Sequence, residues 1–129
     1  MKDNEHEQLF TELTPAEAAV VEGGIRLTID RIQAIKAGAD FIGADDTYIT
    51  VNGKKIAGDF TMTTGLTQLV NKSITTPGSS AVVRLWDNDP LNPDDLLGVF
   101  AAVNTNGRQR QVRLSGSGSI YNVYYRATA

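Results

Sequence analysis

The stretch Val83-Arg84-Leu85-Trp86-Asp87-Asn88-Asp89-Pro90-Leu91-Asn92-Pro93-Asp94-Asp95-Leu96-Leu97-Gly98-Val99-Phe100 passes from apolar to acidic and back within eighteen residues. Together with Ala81-Val82, its first part is the most apolar strand signal in the chain and predicts a central strand. Asp87, Asp89, Asp94 and Asp95 follow directly. They belong to a loop held at a strand end by a rigid scaffold, where functional side chains concentrate. The loop is not an EF-hand. Asp87 and Asp89 fill its first and third positions, but Leu91, Asn92 and Gly98 stand where a ligand, a glycine and a glutamate are required.

Outward from this stretch the period stays at two. Ile25, Leu27 and Ile29 alternate with polar residues. Tyr48-Ile49-Thr50-Val51 runs into Asn52-Gly53, a strong hairpin signal, and Lys54-Lys55-Ile56 begins the return strand. Leu66 to Thr75 predicts a half-exposed strand, and Thr76-Pro77-Gly78-Ser79 a turn. Leu97 to Val103 is a strand, and Asn104-Thr105-Asn106-Gly107 turns the chain. Arg108, Arg110 and Arg113 mark a charged edge strand over Arg108 to Leu114. A Gly/Ser turn over Ser115 to Ser119 leads to a last strand, Ile120 to Arg126, with Tyr121, Val123 and Tyr125 on one face. These signals predict an all-β antiparallel β-sandwich of seven to eight strands.

The chain has 129 residues, enough for one domain, and 41% hydrophobic with 21% charged residues is a globular composition. There is no cysteine, which excludes disulfides, zinc–thiolate centres and thiol nucleophiles. The one histidine, His6, cannot build a triad or a histidine metal site. No run of about eighteen apolar residues predicts a membrane-spanning helix. The basic start and apolar stretch of a secretory signal peptide are absent.

Charge divides the chain at Gly23-Gly24. Residues 1–24 carry six acids against Lys2, a net −5, and every glutamate of the protein; residues 25–129 are +2. This predicts an N-terminal segment, 1–24, and a sandwich domain, 25–129. Thr14-Pro15-Ala16-Glu17 is a capping box with proline at the first helical position, and it predicts a short N-terminal helix ended by Gly23-Gly24.

All nine acids after Gly24 are aspartates, and seven lie in two clusters, Asp40, Asp45 and Asp46, then Asp87, Asp89, Asp94 and Asp95. Aspartates do make turns and cap loop backbones. Crowded like charges also suit a hard cation, and Ca²⁺ takes about six to eight oxygens from such loops.

The spacing of these residues resembles that of the C2 domain, the calcium-dependent phospholipid-binding β-sandwich of synaptotagmins and protein kinase C. In that family one loop carries two aspartates six residues apart before a Tyr-containing strand, matched by Asp40, Asp46 and Tyr48. Thr47 stands where the family has proline. The other loop is matched by Asp87, Asp89 and Asp95 before Leu96-Leu97-Gly98-Val99-Phe100. The stretch 57–76 lacks the family's Asn-Pro and tryptophan signature. The resemblance implies Ca²⁺ as cofactor, held by Asp40, Asp46, Asp87, Asp89 and Asp95. It further implies that Phe41, Ile42 and Leu91, with Pro90, touch a lipid surface. Asp45 and Asp94 fall off the pattern.

The segment before Gly24 resembles the double-glycine leaders that bacterial ABC exporters recognise and cleave, through Leu13, Thr14, Glu17, Ala18, Val21, Gly23 and Gly24. That resemblance implies a cytoplasmic precursor, a leader-processing ABC exporter as partner, and a secreted, extracellular domain. The expected function is therefore an exported calcium-binding module that engages a surface such as lipid. The alternative is a structural or matrix protein that calcium only stabilises and that self-associates. An enzyme is not expected, since no recognisable cleft motif accompanies the carboxylates. Nucleic acid is disfavoured as a partner by the acidic loops.

Overall fold

The computed structural model describes residues 23–38 and 44–129. The short helix expected within 14–22, and with it the recognition residues Leu13, Glu17 and Val21, lie outside the described residues. So do Asp40, Phe41 and Ile42.

Eight strands follow one another: β1 (Ile25–Lys36), β2 (Ala44–Val51), β3 (Lys54–Thr63), β4 (Thr67–Thr76), β5 (Ser80–Asp87), β6 (Asp95–Val103), β7 (Arg110–Gly116) and β8 (Ser119–Thr128). They form two four-stranded sheets, ordered β4-β1-β8-β7 and β3-β2-β5-β6. Every pairing is antiparallel. The result is the all-β sandwich that the alternating pattern predicts. Among the described residues there is no helix, and so none long and apolar enough to cross a membrane.

The local signals are realised in the backbone. Asn52 and Gly53 both have positive φ, 50° and 84°, the conformation that a two-residue hairpin between right-twisted strands requires. Asn52 also ties the turn to β5, because its side-chain oxygen accepts from the Val82 amide at 2.8 Å. β5 lies between β2 and β6, the central place its apolar content calls for. β7 is an edge strand, as its arginines indicate.

β1 is longer than the alternation suggests. The pairing register shifts between Ile29 and Arg31 against both neighbours, so Asp30 sits in a bulge. The extra residue lets Ile29 and Ile32 both point inward, and the strand continues to Lys36 with Ala34 still in the core. Leu27, Ile29, Ile32, Val123 and Tyr125 from one sheet meet Ile49, Val51, Val83, Leu85 and Leu97 from the other. At about 1.5–3 kcal/mol for each large side chain removed from water, this shared core is the main force holding the sheets together.

Strand direction then sorts the connections by end. Residues 37–38 and segments 64–66, 88–94 and 117–118 lie at one end of the sandwich. Segments 52–53, 77–79 and 104–109 lie at the other, with Gly24 and Ala129. Asp45 and Asp46 at the start of β2 therefore share an end with the 88–94 loop.

Candidate functional site

The loop end is built on the last residues of β5 and the first of β2 and β6. Thr47 pairs with Asp87, and Asp87 pairs with Asp95, so three strands deliver their polar ends side by side. Two bonds donated by backbone amides tie the start of β2 to Asp87 and Asn88 there. The Asp46 amide donates to Asp87 Oδ1 at 2.7 Å, and the Asn88 amide donates to the Asp46 carbonyl at 2.8 Å.

Side-chain direction separates two neighbours. Asp45, Thr47, Ile49 and Val51 point inward, while Asp46 points out and is exposed. Asp87 continues the inward phase of Val83 and Leu85, and like Asp45 it is fully buried. Asp45 Oδ2 accepts from Tyr121 Oη at 2.7 Å and from Ser119 Oγ at 2.9 Å. Ser119 Oγ in turn accepts from the Gly38 amide at 2.9 Å, at the edge of the first aspartate-rich loop. Burial pushes the Tyr121 phenol far above its usual range, opposed by the Thr47 hydroxyl and reinforced by the carboxylates of Asp45 and Asp87. The floor under the loops is thus a buried polar cluster that joins β2, β5 and β8.

The second loop is folded on its own aspartates. Asp89 Oδ1 accepts from the amides of Leu91 at 3.0 Å and Asn92 at 3.3 Å. Asp94 accepts from the Asp89 amide at 3.0 Å and from the Tyr48 hydroxyl. The Tyr48 bond, followed by the Asp89 amide, holds the Asp94 carboxyl below the ordinary carboxylate range. Burial, then the bond to Asp94, pushes Tyr48 up to about 12. Tyr48 also stacks on Trp86 at 6.3 Å between ring centres.

Of the five aspartates expected to hold an ion, the structure brings Asp46, Asp87, Asp89 and Asp95 to one end of the sandwich, and Asp40 is outside the described residues. Among the described residues no group of three or more His, Cys, Asp or Glu side chains is placed to hold a metal ion. The donors are all carboxylate oxygens, which in kind suit a hard cation. Asp89 spends its oxygens on its own loop, and Asp46 faces outward. Leu91 is 89% exposed at the loop tip, where an apolar side chain has no packing role.

Asp45 and Asp94 are the polar residues the spacing argument set aside. The signal for Asp45 was present, since counting back by twos from Val51 and Ile49 reaches Thr47 and then Asp45. For Asp94 the partner is Tyr48, forty-six residues away, which no local pattern reveals.

No family model matches the sequence, and no curated protein does. Solved structures do match. One described as the structure of a C2 domain is 18% identical, with TM-score 0.55, covering 82% of this chain and 98% of that one. A C2 domain of plant extended synaptotagmin 1 is 12% identical, with TM-score 0.54, covering 83% and 95%. The human GIVD cytosolic phospholipase A2 is 14% identical, with TM-score 0.51, over 81% of this chain and 17% of that chain. At these identities the likeness concerns the fold. The sandwich of β1–β8 is C2-like.

Proposed function

We propose that this chain is an exported calcium-binding module, not an enzyme, whose two aspartate-rich loops take up Ca²⁺ and then engage an anionic surface such as lipid. The observation that carries the reading is the tie between the Asp45–Asp46 start of β2 and the head of the 88–94 loop, made by the Asp46 and Asn88 amides. The C2-like fold supports it.

In this reading Asp40, Asp46, Asp87, Asp89 and Asp95 supply the ion's oxygens. The ion would bring positive charge between loops that otherwise repel. Each aspartate serves the ion as an ionised carboxylate. Asp89 must turn from the Leu91 and Asn92 amides toward the ion, which reshapes the loop that carries Leu91. Leu91 then meets the surface, joined by Phe41 and Ile42 from the first loop. The double-glycine segment before Ile25 supplies the route out of the cell.

The test is calorimetric titration of Ca²⁺ into the full chain, beside Asp89→Asn and Asp87→Asn. Saturable heat that weakens at least tenfold in Asp89→Asn is expected. Asp87 is buried, so circular dichroism must first show its variant folded; Asp89 lies in a surface loop and keeps the test decisive alone. No heat up to several millimolar Ca²⁺ would refute the site. Sedimentation with phosphatidylserine vesicles then separates the two functions. Calcium-dependent pelleting lost in Leu91→Asp supports the surface-binding module. A raised melting temperature without pelleting supports the structural alternative, in which calcium only stabilises the domain.

A further inference from the structure

Charge is partitioned between the sheets. Of the eleven Lys and Arg residues after Gly24, eight lie on β4-β1-β8-β7 or in the 104–109 connection that leads into it. Of the eight aspartates among the described residues, only Asp30 does. Asp30 is already committed, because Arg126 Nε and Nη2 both donate to it at 2.8–3.1 Å. The outer face of this sheet therefore keeps a surplus of exposed cations.

At the end opposite the aspartate loops the face holds a cleft of about 170 Å³. Arg26 and Thr28 of β1, Arg126 and Thr128 of β8, and Gly107 line it. Arg26 is exposed and makes no ion pair among the described residues. It is also the second residue of β1, so the cleft opens where the chain enters the sandwich. The twenty-four residues that precede β1 carry six acids against one base. Glu22 stands four residues before Arg26 and Glu17 nine. At about 3.3–3.6 Å per extended residue, both reach the cleft from the tether at Gly24. A tether also replaces a bimolecular encounter with an effective concentration in the millimolar range, enough for a few exposed ion pairs to matter.

We propose that the acidic segment 1–24 turns back on its own domain and places its glutamates on the Arg26–Arg126 cleft. The basic face is thereby covered by this same chain. The contact is electrostatic and exposed, so it weakens as salt shortens the screening length from about 10 Å at 0.1 M to about 3 Å at 1 M. The contact belongs to the chain with residues 1–24 attached, and the proposal stands independently of calcium binding.

The chain has no cysteine, so Gln8→Cys in the full-length protein gives a single site for a nitroxide label. Amide signals of Arg26, Thr28, Gly107 and Thr128 are expected to broaden at low salt. The broadening should fall at least twofold at 1 M NaCl and in Arg26→Glu. It should return in Arg26→Glu combined with Glu17→Lys and Glu22→Lys. Arg26 is exposed, so its variant keeps the fold, which the unchanged remainder of the spectrum verifies. A merely tethered segment would broaden wild type and Arg26→Glu alike, and that result overturns the proposal. A mixed sample supplies the second control, with nitroxide on isotope-free chains and isotope on chains without nitroxide. Equal broadening there would make the occupant a second molecule, which also overturns the proposal.

Discussion

Asp45 and Asp46 share a peptide bond and have opposite surroundings, one sealed under the loops and the other in water. A buried carboxylate is costly unless its oxygens are satisfied, and the Tyr121 and Ser119 hydroxyls meet that need for Asp45. Asp30 solves the same problem differently. Burial raises its pKa, but the hydrogen bonds from Arg126 and Gln109 outweigh this and hold it below the usual value near ~3.9. A carboxyl with a lowered folded pKa stabilises the protein above the unfolded value. That contribution is lost as pH falls through the folded one. Urea midpoints measured from neutral pH into strong acid should therefore fall below about pH 4. Asp30→Asn should start lower at neutral pH, show a flatter acid limb and converge with wild type in acid. Parallel curves would show that the pair contributes nothing to folding.

At the scale of elements, β6 and β7 approach from different sheets through a glycine. A Cβ built on Gly98 would lie 2.5 Å from the Leu114 Cβ, which belongs to the base of a side chain and cannot swing aside. Gly98→Ala gains about 0.5–1 kcal/mol from the stiffer backbone, yet overpacking of this kind costs about 1–3 kcal/mol. A net loss of stability in denaturant titration is expected, and a neutral result would mean the sheets can part there. Elements whose cause is local were legible in the sequence: the Asn52-Gly53 hairpin, the apolar β5 and the arginine-guarded β7. The second half of β1 was not, because the bulge at Asp30 resets the alternation and period-two reading stops at Ile29. At the candidate site, the acidic run after Trp86 made the 88–94 loop visible. It could not show that Asp89 bonds its own loop or that Asp94 meets Tyr48, since those contacts depend on how the loop closes. Nor does any stretch announce that cations gather on one sheet, which follows from strand order alone.

For the whole molecule, one end carries the carboxylates and the other the chain's entry and exit, with a twelve-residue β1 between them. At about 3.3 Å per residue that separation is on the order of 35 Å. Arg26 pairs with Thr128, so Gly24 and Ala129 leave the sandwich as neighbours. The order in which the strands are synthesised is then separable from the way they pack. A circular permutant that joins Ala129 to Gly24 by a short Gly-Ser linker, and opens the chain in the exposed Pro77–Ser79 turn, should keep the same amide spectrum in β1 and β8. Its new ends would emerge at the same pole as the old ones, leaving the opposite pole untouched. A reporter fused after Ala129 starts from the pole opposite the 88–94 loop for the same reason, so that attachment at one pole and changes to the loop at the other can be engineered separately.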